Sequence, residues 1–136
     1  MLEILNFSEY SKCSTTKEPR LSIGIKTGYF FFNEPATQIM SLSLSDKINF
    51  GFDKGKNAWY IIKQDRKNHN AFELRSYGKR KNGKSTKCLM VTCAKIAWRI
   101  ASNLAIKKRE GSIHFSIDPE PVAQDGFVTY KINLLK

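Results

Sequence analysis

Long apolar runs are missing from this chain. Nothing in it approaches the roughly 18 consecutive apolar residues that a membrane-spanning helix requires, so no membrane partner is expected. Residues 1–10 contain Glu3 and Glu9 and no Lys or Arg, which leaves out the basic start of a signal peptide. A cytoplasmic protein is the expectation. Cysteine is scarce and odd in number: Cys13, Cys88 and Cys93. Cys88 and Cys93 do not have the CxxC spacing of a zinc or redox site, and the two histidines, His69 and His114, stand far from them in sequence. Reduced cysteines that pack as small hydrophobes are expected, with no metal and no cofactor. No Ser/His/Asp set has a recognisable context, and no close carboxylate pair sits in a basic setting. Asp118, Glu120 and Asp125 share one turn and read as solvated loop charges. The chain is therefore read as non-enzymatic.

Acids are scarce too, at 12 against 23 Lys and Arg, and the imbalance is local. Residues 54–109 hold sixteen cations and two acids, Asp65 and Glu73, a balance of +14 that leaves −3 for the rest of a chain whose total is +11. Charge this lopsided creates a directional field that attracts polyanions and speeds encounter with them. The pI near 9.7 narrows the partners to nucleic acid, anionic lipid or another acidic macromolecule. An apolar fraction of 41% argues against wholesale disorder, and 136 residues suffice for one continuous core.

Residues 1–20 mix apolar and polar side chains without a period and read as an N-terminal arm. Residues 21–136 read as a single compact domain. Residues 21–25 and 29–32 form two strands around a turn at Gly28. Asn33-Glu34-Pro35 opens a short helix reaching about Leu42, with an N-cap side chain, an acid in the first turn and a proline where its missing N–H costs little. Its buried side is expected to hold Ala36, Ile39, Met40 and Leu44. Residues 48–53 alternate as a half-buried strand, 54–57 turn, and 59–62 return. Residues 71–77 read as a strand, 78–87 as a long basic turn, and 88–91 as its return. A second helix is expected from Ala94 to about Lys107, capped by Thr92 or Cys93 and ended by Gly111. Ile96, Ala97, Ile100 and Leu104 form its stripe, with Trp98, Ala101 and Ala105 on a second side. Residues 113–117 and 127–134 close the fold.

Two halves, 21–64 and 71–135, show the same order of strand, strand, helix, strand, strand. Their sharpest match sets Ile48-Asn49-Phe50-Gly51-Phe52-Asp53 against Ile113-His114-Phe115-Ser116-Ile117-Asp118. The fold class is thus α+β, mostly antiparallel β with two short helices, as two pseudo-repeats packed into one body. Gly28-Tyr29-Phe30-Phe31-Phe32, then Glu34-Pro35, then the run from Ile39 through Ser45-Asp46-Lys47 to Ile48-Asn49-Phe50, resembles the swapped-hairpin fold of AbrB-class DNA-binding proteins. The resemblance implies a DNA-binding regulator of bacterial or phage type, and its two-copy form implies intramolecular pairing of the two hairpin units.

The segment Gly78-Lys79-Arg80-Lys81-Asn82-Gly83-Lys84-Ser85-Thr86-Lys87 matches GxxxxGKS formally. A phosphate loop must leave a buried parallel strand and open a helix, whereas a β-type run follows here. The segment reads instead as a basic hairpin whose Lys79, Arg80, Lys81, Lys84 and Lys87 contact phosphates. Lys95 and Arg99 on the second helix, with Lys107, Lys108 and Arg109 at its C-terminal end, extend that surface. Of the aromatics interleaved with these charges, Trp59, Tyr60, Phe72 and Trp98 are assigned mostly to the core. Tyr77 is expected to be exposed for stacking. The expected partner is nucleic acid, DNA before RNA. The alternatives are a structural or interaction protein that binds an acidic partner, and a single-stranded nucleic-acid binder. Self-association into a homo-oligomer stays open.

Overall fold

A computed structural model of the chain describes residue 2 and residues 18–76, 88–106 and 111–135. Most of the expected N-terminal arm lies outside them. The described residues form ten strands and two helices: β1 (Arg20–Gly24), β2 (Tyr29–Phe32), α1 (Glu34–Ile39), β3 (Lys47–Asp53), β4 (Ala58–Gln64), β5 (Phe72–Glu73), β6 (Arg75–Ser76), β7 (Leu89–Thr92), α2 (Ala94–Asn103), β8 (Ser112–Ile117), β9 (Val122–Gln124) and β10 (Phe127–Leu134). Every strand pairing among them is antiparallel. The α+β class, mostly antiparallel β with two short helices, stands.

The strands follow the path β5-β3-β4-β10-β8-β1-β2-β7-β6, with β9 paired to β10 off this path. Its two end strands, β5 and β6, are separated in the chain by Leu74 alone. Leu74 donates its N–H to the Asp46 carbonyl at 2.8 Å and accepts from Ser45 N–H at 3.0 Å. The sheet therefore comes round on itself as a near-barrel. One segment faces β3 through Phe72↔Ile48 and β7 through Arg75↔Met90. That double duty breaks the continuous strand expected over residues 71–77 into two short pieces.

Alternation fills the interior. Leu21, Ile23, Phe30, Phe32, Ile48, Ile61 and Phe115 point inward and are almost wholly excluded from water. Their cross-strand registers, such as Leu21↔Phe32 and Leu21↔Phe115, stack them in one cluster. Phe30 and Phe50 meet with ring centroids 4.7 Å apart. Burying each such side chain contributes about 1.5–3 kcal/mol.

The helices plug this cluster and both stop short of expectation. Asn33 caps α1, accepting from Ala36 N–H at 3.0 Å. The helix ends at Ile39, not near Leu42. Ser41 takes a left-handed φ of 50°, and the N–H groups of Ser41 and Leu42 return to the Gln38 and Thr37 carbonyls. The reversal buries Leu42 and leaves Leu44, expected inside, 56% exposed. Thr37 is buried as well, its hydroxyl donating to the Glu34 carbonyl at 2.8 Å.

Cys93 is the N-cap of α2, without a side-chain cap bond. The helix ends at Asn103, four residues before the expected limit. Ala105, at φ 57°, donates to the Ser102 carbonyl, and Ile106 donates to the Ala101 carbonyl. Ala97, Ile100 and Ala101 are buried, with Ile96 and Leu104 half-buried. Trp98, 39% exposed, shows that the second side is not fully covered. Gly111 does not end α2; at φ 91° it leads into β8 and accepts from Ile25 N–H at 3.1 Å. The short strand β9 occupies residues expected to be a loop. Among the described residues, no helix is long and apolar enough to cross a membrane.

Candidate nucleic-acid interface

Two of the eleven expected contact residues, Lys95 and Arg99, fall among the described residues. Tyr77, Lys79, Arg80, Lys81, Lys84, Lys87, Lys107, Lys108 and Arg109 lie outside them. α2 ends at Asn103, and its last turn holds no basic residue.

Lys95 and Arg99 are one turn apart on α2, and both are exposed. The helix AKIAWRIASN contains no acid. Ion pairs among the described residues join Arg66 to Asp46 at 2.7 Å and Arg20 to Glu18 at 3.4 Å. Neither Lys95 nor Arg99 meets a described carboxylate. Among the described residues, then, nothing neutralises their charge.

Arg99 is also positioned. Its guanidinium carbon lies 6.0 Å from the Trp59 ring centroid, at the outer limit of a cation–π contact. Trp59 is fixed in turn: Phe52 packs at 4.8 Å between centroids, and the indole Nε1 donates to Asn103 Oδ1 at 3.0 Å. Trp59 and Tyr60 are buried, as expected of the interleaved aromatics, and Phe72 is half-buried. Arg75, outside the expected set, is exposed and donates from Nη2 to Thr92 Oγ1 at 3.1 Å. Thr92 immediately precedes the N-cap of α2, so this bond ties Arg75 to the chain just ahead of the helix. Residues 77–87 join Ser76 to Cys88, and Ser76 is registered against Leu89. The segment thus connects the strand carrying Arg75 to the strand leading into α2.

At the other end of α2 a cleft of about 350 Å³ opens between Leu104, the β3–β4 turn and β10. Lys56 and Lys131 line it beside Trp59 and Leu134. These lysines are 75 positions apart, and the β4–β10 pairing, Tyr60↔Lys131 and Trp59↔Ile132, brings both to the one cleft. A second cleft, about 420 Å³, lies between the β3–β4 and β9–β10 turns and carries Asp53, Asp125 and Lys54, a mixed set without net cationic character.

One polar pair was not foreseen. Ser22 Oγ and His114 Nδ1 share a hydrogen bond of 2.9 Å across β1 and β8 on an exposed face. No described carboxylate orients the ring, so the pair lacks the third member that activates a serine nucleophile. Among the described residues no group of three His, Cys, Asp or Glu is placed to hold a metal. Comparison with protein-family models, curated proteins and solved structures finds no match.

Proposed function

We propose that this chain is a non-enzymatic nucleic-acid-binding protein, regulator-like and directed at DNA, that holds phosphates through residues 77–87 and the exposed row of α2. The observation that carries the reading is that Lys95 and Arg99 are exposed and form no ion pair with any described residue, on an acid-free helix that follows a segment with five cations and no acid. Uncompensated cations cost little where they face water and gain most where they replace the counterions of a polyanion. Sequence-independent phosphate contact would come from Lys79, Arg80, Lys81, Lys84 and Lys87, with Lys107, Lys108 and Arg109 reinforcing it.

The same proposal extends to architecture: two interleaved copies of one hairpin–helix–hairpin unit, in the manner of a tandem AbrB-class fold. Three features support it. Around the sheet, hairpins of residues 20–64 alternate with hairpins of residues 72–134. Exchanging the halves turns the β1–β8 pairing into the β5/β6–β3 pairing and maps β2–β7 and β4–β10 onto themselves. Both helices end in the same reversal, with left-handed Ser41 and Ala105 answered by Leu42→Thr37 and Ile106→Ala101 bonds. Neither unit closes the sheet by itself, so packing the two together completes one core.

The test is a binding panel of a duplex, a single strand of equal length and heparin across a range of salt. Steep loss of affinity with rising salt, and a duplex preferred over heparin of matched charge, is the expected outcome. Absence of binding to either nucleic acid at low salt overturns the reading and leaves an acidic protein as the partner.

A further inference from the structure

From the cleft at the end of α2 we infer a subsite for one nucleotide unit of a bound strand, with its phosphate between Lys56 and Lys131 and its base against Leu104 and Leu134. The inference rests on the nucleic-acid reading and names what that surface takes beyond phosphate. Three observations converge on it.

The first is composition. The walls combine apolar side chains (Leu104, Leu134 and the edge of Trp59) with two primary amines. An apolar floor with a cationic rim matches a ligand that is itself flat and apolar at one end and anionic at the other. Leu134 is an exposed large hydrophobic, so part of this floor meets water when the cleft is empty of ligand. The second is size. A volume of about 350 Å³ falls in the range of small-ligand sites and has room for one nucleotide. The third is continuity. Arg99 lies over Trp59, and Trp59 lines the cleft, so the α2 row adjoins the cleft through one indole. A strand held on the helix row runs on toward the cleft.

The neighbouring acid sets the orientation. Asp118 accepts from Asn133 Nδ2 at 2.8 Å, and Asn133 lines the same cleft. The phosphate between the two lysines therefore lies on the side of Lys56, on the β3–β4 turn. Phe52 and Arg99 both pack on the Trp59 ring, so the base is assigned to the leucines beside it. A lipid headgroup would use the lysines but has no flat ring for the leucines. Base-dependent affinity separates the two sources.

The experiment uses the full chain carrying Trp98→Phe, which leaves Trp59 as the sole tryptophan. Its fluorescence is followed against a thymidine octamer, an abasic octamer of equal charge, and a duplex. The subsite predicts a change in Trp59 emission with the thymidine octamer, and affinity about tenfold above that of the abasic octamer, the scale of one base taken out of water. Lys56→Gln with Lys131→Gln should weaken the thymidine octamer about tenfold while the helix row keeps its duplex affinity. Leu134→Ser, at an exposed position, should erase the difference between the octamers. Equal affinity for the two octamers, or silent Trp59 emission on binding, overturns the subsite even if the duplex binds. Failure of all three probes at low salt instead overturns the nucleic-acid reading itself.

Discussion

Replacing Gly28 by alanine should be among the most damaging single-methyl changes in the chain. Gly28 sits at φ 74°, in the left-handed region. Its N–H donates to the Gly24 carbonyl at 2.8 Å, and its carbonyl accepts from Cys93 N–H at the same distance. It thus closes the β1–β2 hairpin and holds the N-cap of α2. A Cβ there would lie 2.5 Å from Ala94 N, 2.6 Å from Ala94 Cα and 3.0 Å from the Cys93 carbonyl carbon. All three are backbone atoms, so no side chain can swing aside. The left-handed conformation costs an alanine about 1–2 kcal/mol. Relieving overlap in a packed site costs about another 1–3 kcal/mol. The expected loss is about 2–5 kcal/mol, a large fraction of the roughly 5–15 kcal/mol by which folded domains are stable. Gly126→Ala provides the control, because Gly126 has φ 82° but nothing within 4 Å of its added Cβ. It should lose about 1–2 kcal/mol, from the backbone alone. Urea unfolding followed by circular dichroism measures both. Equal losses at the two positions would refute the claim that α2 is seated directly against Gly28.

Other consequences are as direct. Asn33→Ala removes a side chain that accepts from both Ala36 N–H and Arg20 N–H and donates to the Glu18 carbonyl. A loss of about 2 kcal/mol in urea unfolding is expected, the upper range for a helix cap, and a loss under about 0.5 kcal/mol would contradict the assignment. Ile61→Ala, at a fully buried position of β4, should cost about 2–5 kcal/mol by the same assay. Lys95→Gln with Arg99→Gln should leave the unfolding midpoint almost unchanged, because both side chains are exposed and meet no described carboxylate. The pair should lower the slope of log affinity against log salt by about 2, one for each phosphate contact removed.

The strands were legible where a single face is buried. Ile48 to Asp53 alternate in the sequence, and both they and the closing run Phe127 to Leu134 are strands over those residues. The start of α1 was equally legible, because Asn33-Glu34-Pro35 states its cap chemistry locally. The helix ends were not. Ser41 and Ala105 turn the chain at positive φ without glycine, and nothing in their side chains announces it. That hidden reversal exchanged Leu42 for Leu44 in the core. The break at Leu74 was invisible for another reason: it exists because one segment must pair with two different neighbours, which is a property of the whole sheet. Asp118-Pro119-Glu120-Pro121 reads as a loop and masks β9 just beyond it. Of the candidate interface, the charge was legible and its arrangement was not. Arg75 bonds to Thr92, 17 residues away, and Lys56 and Lys131 line one cleft only through strand pairing.

The central claim is that cations gathered on residues 77–87 and on α2 dock a polyanion. Its most direct test is the salt dependence of duplex binding, measured for the native chain and for a variant with Lys79, Arg80, Lys81, Lys84 and Lys87 all changed to Gln. The native chain should show a steep slope, reduced in the variant by up to about 5, with affinity at low salt falling by orders of magnitude. Identical slopes and affinities for the two proteins would contradict it.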